Sequence, residues 1–347
     1  MSTDRARISL CVPTYNRCAF LRVALAALDA EWQRLSPARR DRLEFVIFDN
    51  ASTDDTPLVA NQFVSRHGAQ AQYRRRTTNI GGDNVYLCTE TATGDFVLIL
   101  SDDDVLLPWA LTRLFDLLDQ DTKLDAVALN SRSFKISPHE NGRPIFKSWS
   151  GVQLRSRDEM FSQLSSTLTF LSILVYRRTL VAETDYTFAR DTSLIQAYAF
   201  TDVLNRGSRF AMLAEPVLAY REANHGSYDY AKVFVDGYRD LLAYARRGGV
   251  MSTTTYEHMK RQNLRGNVLP MMLNFKRYGA MGALRPGWRG TRQRVRRRYR
   301  NDPVGVAMIT AATMLPAPVA NRLEDVGRAA IRAARWTSRQ RPRSRSG

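Results

Sequence analysis

An apolar run that ends in three consecutive carboxylates constrains this chain more than any other stretch: Gly94–Pro108 reads Gly-Asp-Phe-Val-Leu-Ile-Leu-Ser-Asp-Asp-Asp-Val-Leu-Leu-Pro. Phe96–Leu100 has the length and the β-branched or aromatic content of a strand buried on both faces, which in an α/β domain means a central parallel strand. Asp102, Asp103 and Asp104 then fall just past its carboxyl end, the edge of an open α/β sheet where ligands bind. Adjacent carboxylates repel one another unless a cation or many donors compensate them, and a hard divalent ion holding a diphosphate would meet that need. The alternative is an acidic surface turn capping a helix over Leu106–Leu118, although a cap needs only one Asp.

The same strand, polar loop, helix pattern repeats on either side. Strands are expected at Ile8–Val12, Leu43–Phe48 and Gln72–Arg75, with helices over Ala19–Trp32, from Ser52 or Asp54 to Val64, and over Asn84–Thr93, where Gly94 is placed to stop the last. After the acidic triplet come a helix from Pro108, a strand at Ala126–Leu129, an aperiodic stretch 130–151 suited to a lid, a strand at Phe170–Tyr176 and a helix over Ser193–Leu204. Arg209–Leu213 and Val217–Tyr220 read as a strand pair around Glu215-Pro216, and the chain beyond Tyr230 is mostly helical. Alternation of this kind predicts an α/β fold, a mostly parallel sheet with helices on both faces and polar loops opening at one edge.

The 51 Lys and Arg against 34 Asp and Glu leave a net charge of +17, with much excess Arg beyond Arg285. Nucleic acid, anionic lipid or a phosphorylated substrate would each suit such a surface. Cys11, Cys18 and Cys88 are odd in number and lack metal-ligand spacing, so neither a disulfide framework nor a zinc site is expected. The first strand begins too early to leave room for a signal peptide, and 303–320 is broken by Pro316 and Pro318 and falls short of a membrane span. The expected setting is the cytoplasm, soluble or peripheral on the inner face of the cell membrane.

Four marks in order carry a resemblance: Val12-Pro13-Thr14-Tyr15-Asn16-Arg17 after the first strand, Asp49-Asn50-Ala51-Ser52-Thr53-Asp54 after the second, Asn79-Ile80-Gly81-Gly82, and Gly94-Asp95 leading to Ser101-Asp102-Asp103-Asp104. Together they resemble the family 2 glycosyltransferases, which have the GT-A fold and use nucleotide-diphosphate sugars. The Asn-Ile-Gly-Gly form and the run Thr169–Ser172 look most like the abequosyltransferase-like branch. The resemblance spans roughly Ile8 to Asn224. It implies a catalytic domain over 1–228, with a nucleotide-sugar half at 1–130 and an acceptor half at 131–228. A helical, Arg-rich region would follow at 229–347, its tail disordered after 338.

Carried over position by position, the resemblance implies that Pro13, Thr14 and Tyr15, with Asn16 and Arg17 in the same loop, contact the donor nucleotide. Asp49 would offer a carboxylate to a base N–H, and Asn79 and Gly81 would shape the loop near base and ribose. Each of these alone could be an ordinary turn residue. The family's Asp-x-Asp falls on Ser101-x-Asp103 if aligned on Leu107-Pro108, and on Asp102-x-Asp104 if read literally. Asp103 is therefore the expected principal ligand of Mg²⁺ or Mn²⁺, with Asp104 sharing the ion and Asp102 supporting it or meeting the ribose. No Glu-Asp pair precedes the acceptor-half helix. Asp191 is the first candidate for general base and Asp202 the second, with a helix cap and a solvated helix residue as their structural alternatives. Arg221 and His225 could reach the diphosphate or could be loop residues.

These marks imply an inverting, metal-dependent glycosyltransferase acting on a glycan acceptor, lipid-linked in cell-surface polysaccharide synthesis. A noncatalytic nucleotide- or glycan-binding protein of the same fold is the alternative. A nucleic-acid binder organised around the Arg run is a further rival, but no motif supports it. Val319, Leu323, Val326, Ala330 and Ala334 share one helical face opposite Arg328, Arg332 and Arg335, which would suit an anionic membrane surface.

Overall fold

The structure, a computed structural model, describes residues 5–140, 142–222, 229–278, 287–314, 316, 318 and 319, the side chains of 191 and 274–278 aside. In chain order the first unit holds β1 (Ile8–Thr14), α1 (Cys18–Arg34), α2 (Pro37–Arg40), β2 (Leu43–Asp49), α3 (Thr56–His67), β3 (Ala71–Arg75), α4 (Asp83–Thr91), β4 (Phe96–Ile99), β5 (Val105–Leu106) and α5 (Ala110–Gln120). It continues with β6 (Ala126–Phe134), β7 (Val152–Arg155), α6 (Arg157–Leu164), β8 (Leu174–Arg177), α7 (Ile195–Arg206) and β9 (Phe210–Arg221). The sheet order is β3-β2-β1-β4-β8-β6-β9-β5, with β7 beside β9.

β1 and β4 are buried along their whole length and sit inside the sheet, as strands without a solvent face must. β1 pairs in parallel with both β2 and β4, and β2 with β3, so the loops after β1, β2 and β4 open at one edge. On the other side of β4 the sheet is mixed: β8 is antiparallel to β4 and to β6, and β9 runs parallel to β6.

Three local expectations are corrected. Glu215-Pro216 does not separate two strands: β9 is one strand whose register against β6 shifts beside Asn130, pairing Leu129 with Leu213 and then Asn130 with Pro216. A bulge accommodates a proline that has no N–H for the ladder, and the Asn130 amide donates to Phe146 O and Ala214 O across the gap. The helix after the acidic triplet starts at Ala110 because Val105–Leu106 is spent as β5 against β9. Its first N–H groups go to the buried Glu31 of α1, which accepts from Trp109 N at 2.9 Å and Leu111 N at 3.0 Å. The capping role that could have explained the three aspartates is therefore filled by another residue.

Gly94, read as a helix stop, acts differently. α4 is already ended by Ala92, and a Cβ at Gly94 would stand 2.7 Å from Ser9 Oγ and 2.8 Å from Ser9 N. Glycine is required there for the close approach of the chain to β1.

The second unit comprises residues 225–240 and 257–347, while 241–256 belong with the first. The helices after β9 are α8 (Tyr238–Arg247), α9 (Thr253–Gln262), α10 (Leu269–Tyr278), α11 (Gly287–Arg298) and α12 (Pro303–Met314), with π turns at Lys232–Gly237 and Asn263–Val268. Within the second unit Tyr230, Val235, Leu264, Val268, Met272, Val295, Tyr299 and Ile309 form a core. The helix expected over 319–334 and the tail beyond it lie outside the described residues, Val319 excepted.

Candidate active site

The loops after β1, β2 and β4 are tied together by side chains at the shared edge. Thr14 Oγ1 donates to Asp102 Oδ2 at 2.8 Å, and Asn50 N donates to Thr14 O at 2.9 Å. Asn16, in the left-handed region at φ 52°, receives Thr53 N on its amide oxygen at 2.7 Å and gives its own N–H to Ser52 Oγ at 2.8 Å. Pro13 and Thr14 are buried, whereas the Tyr15 ring is 41% exposed and presents a face to solvent. Asp54 accepts from Cys18 N and Thr56 N, both at 3.0 Å, joining the starts of α1 and α3.

Burial acts to raise the Asp54 carboxyl, but these hydrogen bonds outweigh it and hold the group at about 2. A depressed carboxyl stabilises the fold above its unfolded value of 3.8, and that contribution is lost as pH falls through about 2. Asp54→Asn should therefore lower the melting temperature at neutral pH by the equivalent of about 1 kcal/mol, a figure already reduced for solvent screening of a half-buried group. The gap to wild type should close below pH 3.8. A gap unchanged down to pH 2 would show that the carboxylate charge contributes nothing.

The Asn79–Gly82 loop is fastened by Asn50, which sequence reasoning left without a role. Its amide donates to Asn79 Oδ1 at 2.8 Å and to Gly81 O at 3.3 Å, and its oxygen accepts Ile80 N at 2.8 Å. Gly81 adopts φ 62°, where a side chain would be strained. Asn79 and Gly81 are themselves exposed at the edge.

The three aspartates point in different directions. Asp102 turns to Thr14 and to Arg17, whose Nη1 lies 3.0 Å from its Oδ1. Asp104 accepts from Ser172 Oγ at 2.6 Å and from Arg221 N at 3.3 Å. Asp103 stands between them, accepting from Ser101 Oγ at 2.5 Å and facing Arg17 Nη1 at 3.5 Å. Burial pushes the Asp102 carboxyl up to about 6, against the pull of Arg17 and Thr14. Burial and the Asp103 charge push Asp104 well above the usual carboxylate range. Burial and the neighbouring carboxylates thus disfavour the charged forms of Asp102 and Asp104, the condition under which added positive charge is favoured.

Among the described residues no group of three His, Cys, Asp or Glu side chains converges as a metal cage. Asp104, expected to share an ion with Asp103, is instead engaged by Ser172 and the Arg221 backbone. The donor set still fits a hard divalent ion of the kind bound by one or two carboxylates plus substrate phosphates, with Asp103 as the protein's carboxylate. Ser172 also accepts Ser101 N at 2.9 Å, so it staples both ends of the acidic turn. The only signal for it in the sequence was its place in the Thr169–Ser172 run.

Arg221 brings a second cation. Its guanidinium lies over the Phe20 ring at 4.9 Å and the Phe134 ring at 4.6 Å, while Arg17 lies over the same Phe20 ring at 5.9 Å. Phe20 therefore gathers both arginines beside the acidic turn. His225 lies outside the described residues.

Two of the expected site carboxylates lie in buried surroundings. Asp49 is fully buried, accepting Ser52 N at 2.8 Å on one oxygen and the Tyr73 hydroxyl at 2.6 Å on the other, bonds that shape the loop. Asp202 is 4% exposed and accepts from the Tyr186 hydroxyl at 2.8 Å and the Tyr244 hydroxyl at 2.7 Å. Burial and then the Asp202 charge raise both phenols, which keeps them protonated as donors. Its place is neither a solvated face nor a cleft. Asp191 lies on the 3₁₀ turn Thr187–Thr192 just ahead of α7, and its side chain is outside the described residues. Arg190 Nε pairs with Asp83 Oδ2 at 3.2 Å, which holds that turn against the start of α4.

Residues 9–183 match the family profile described as Glycosyl transferase family 2. Abequosyltransferase RfbV of Salmonella typhimurium strain LT2 is 34% identical over 113 residues, 32% of this chain, and the match spans only 32% of that protein. Among solved structures, Staphylococcus aureus TarS 1–349 superposes with a TM-score of 0.59 at 14% identity, covering 88% of this chain and 90% of that one. Its complex with UDP-GlcNAc gives 0.58 at 15%, covering 92% and 88%. The mannosyltransferase PcManGT of Pyrobaculum calidifontis, in complex with GDP-Man and Mn²⁺, gives 0.51 at 18% identity and covers 94% of this chain and 81% of that one. At these identities the structural likeness shows a shared GT-A fold.

Proposed function

Because this chain belongs to family 2 of the glycosyltransferases, we propose that it transfers one sugar, with inversion, from a nucleotide-diphosphate sugar to a hydroxyl of a glycan acceptor. The observation that carries the reading is the acidic turn, flanked by Arg17 and Arg221 at the edge where the loops after β1, β2 and β4 meet. The exposed Tyr15 ring is suited to stack on the base. Arg17 and Arg221 are placed to meet diphosphate oxygens, Arg17 by exchanging carboxylate partners for phosphate. Asp103 would hold Mg²⁺ or Mn²⁺, which when bound offsets the charge that develops on the leaving nucleoside diphosphate. Asp191 is proposed to take the acceptor's proton as its oxygen attacks the anomeric carbon.

Nucleotide-sugar use follows the solved neighbours whose complexes hold UDP, UDP-GlcNAc, or GDP-Man with Mn²⁺. A deoxyhexosyl or hexosyl donor is proposed from the abequosyltransferase likeness, and a lipid-linked acceptor of cell-surface polysaccharide from the family resemblance of the loop motifs. Residues 1–228 are proposed as the catalytic domain and 229–347 as an accessory helical region. No described helix is long and apolar enough to cross a membrane.

Uracil, guanine, cytosine and thymine nucleoside diphosphates and their sugars, each with and without Mn²⁺, should be compared for thermal stabilisation. One base series should stabilise the chain by about 2.7 kcal/mol at a ligand concentration a hundredfold above Kd, and more with Mn²⁺ than without. If no nucleoside diphosphate or sugar nucleotide shifts the melting temperature, the donor site does not exist as described.

A further inference from the structure

The second unit exposes an apolar helix face that its own core does not use. α12 buries Gly305, Ile309, Ala312 and Thr313, yet on the other side Val304 is 57%, Met308 41% and Met314 70% exposed, with Ala311 exposed between them. These positions recur at helical spacing and form one stripe. No charged residue occurs anywhere in 303–319, so the stripe lacks the polar cover that an outward helix face normally carries.

Positive charge lies immediately before it. In α11, Arg294, Arg297 and Arg298 are paired with Asp229, Asp236 and Asp240. Among the described residues no ion pair is formed by Arg289, Arg292, Arg296 or Arg300. Arg300 precedes Val304 by four residues, a chain distance of at most about 14 Å, so cationic side chains and the apolar stripe meet at one end of α12.

We propose that α12 lies in the headgroup region of an anionic bilayer, its Val304–Met308–Met314 face among the acyl chains and Arg296 and Arg300 on lipid phosphates. Twelve residues make a helix of about 18 Å, against about 30 Å of hydrocarbon, so α12 lies in the interface plane and does not cross. The arginines favour lipid over a second copy of the chain as the occupant. A second copy of the chain carries the same net charge of +17 and the same Arg296 and Arg300 beside this patch, whereas an anionic surface complements them. The inference does not depend on the sugar-transfer reading.

Flotation of the full chain with vesicles tests it. The chain should float with phosphatidylcholine–phosphatidylglycerol vesicles, be released by high salt, and stay behind with phosphatidylcholine alone. Met308→Glu with Met314→Glu should weaken partitioning about tenfold or more at an unchanged melting temperature, because both side chains are exposed. Met314→Glu alone, at the most exposed position, serves if the double variant melts early. Arg296→Gln with Arg300→Gln should weaken binding to anionic vesicles and leave the behaviour on neutral ones unaltered. The proposal is overturned if the wild-type chain ignores anionic vesicles at low salt, or if the Met variants float as it does. It is also overturned if the wild-type chain is a dimer that those variants render monomeric, since a second copy would then cover the face.

Discussion

Asp103→Ala should abolish the divalent-ion dependence of donor binding and lower turnover by about two to three orders of magnitude, the scale of several kcal/mol of lost charge stabilisation. The fold should survive. Although Asp103 is only 7% exposed, its charge raises the proton affinity of both Asp102 and Asp104, so removing it relieves repulsion while forfeiting the Ser101 hydrogen bond and the 3.5 Å ion pair with Arg17. These two effects oppose each other at about 1 kcal/mol each, and the melting temperature should stay within a few degrees of wild type. Asp104→Asn is the informative companion. Asp104 has its oxygens engaged by Ser172 and the Arg221 backbone, so the amide should leave the Mn²⁺ dependence in place. Calorimetric titration of the donor nucleotide with and without Mn²⁺ reads both variants. An Asp103→Ala chain that keeps its Mn²⁺-dependent affinity would remove Asp103 from the ion site and leave the acidic turn without the role proposed for it.

What the sequence revealed, and what it concealed, follows from the range of the interactions concerned. β1, β2 and β4 are continuous apolar runs closed by polar loops, a signal carried within each segment, and the four loop marks stand at the ends of the expected strands. Glu215-Pro216 looks locally like a turn between two strands; only the register of β9 against β6 and the amide of Asn130 reveal a bulge. The start of α5 was misplaced for the same reason, since its N–H groups are satisfied by Glu31, some eighty residues earlier. Side-chain direction was the least legible property. Asp49 and Asp202 carry the right chemistry near the right elements, yet Tyr73 in one case and Tyr186 with Tyr244 in the other absorb their oxygens. No spacing rule predicts that a phenol from another element will occupy a carboxylate.

That contrast gives the test of the general base. Asp191→Asn should lower kcat by about 10² to 10⁴ while leaving the donor dissociation constant unchanged, because a base acts on the acceptor hydroxyl in the transition state and on nothing in the bound donor. Residue 191 lies on a turn pinned to the start of α4 by Arg190 and Asp83, and Ser193 at φ 58° then turns the chain into α7. Asp202→Asn should behave differently. It leaves the phenols of buried Tyr186 and half-buried Tyr244 with a weaker acceptor, at a cost of about 1–3 kcal/mol, so the melting temperature should fall by several degrees while the folded fraction retains its kcat. Measuring kcat, donor affinity and melting temperature for both variants separates the roles, because a structural aspartate moves the third quantity and a base the first. Should Asp191→Asn turn over like wild type while Asp202→Asn is inactive at an unchanged melting temperature, the assignment is reversed. The Tyr186–Asp202–Tyr244 cluster would then have to open to the acceptor during the reaction.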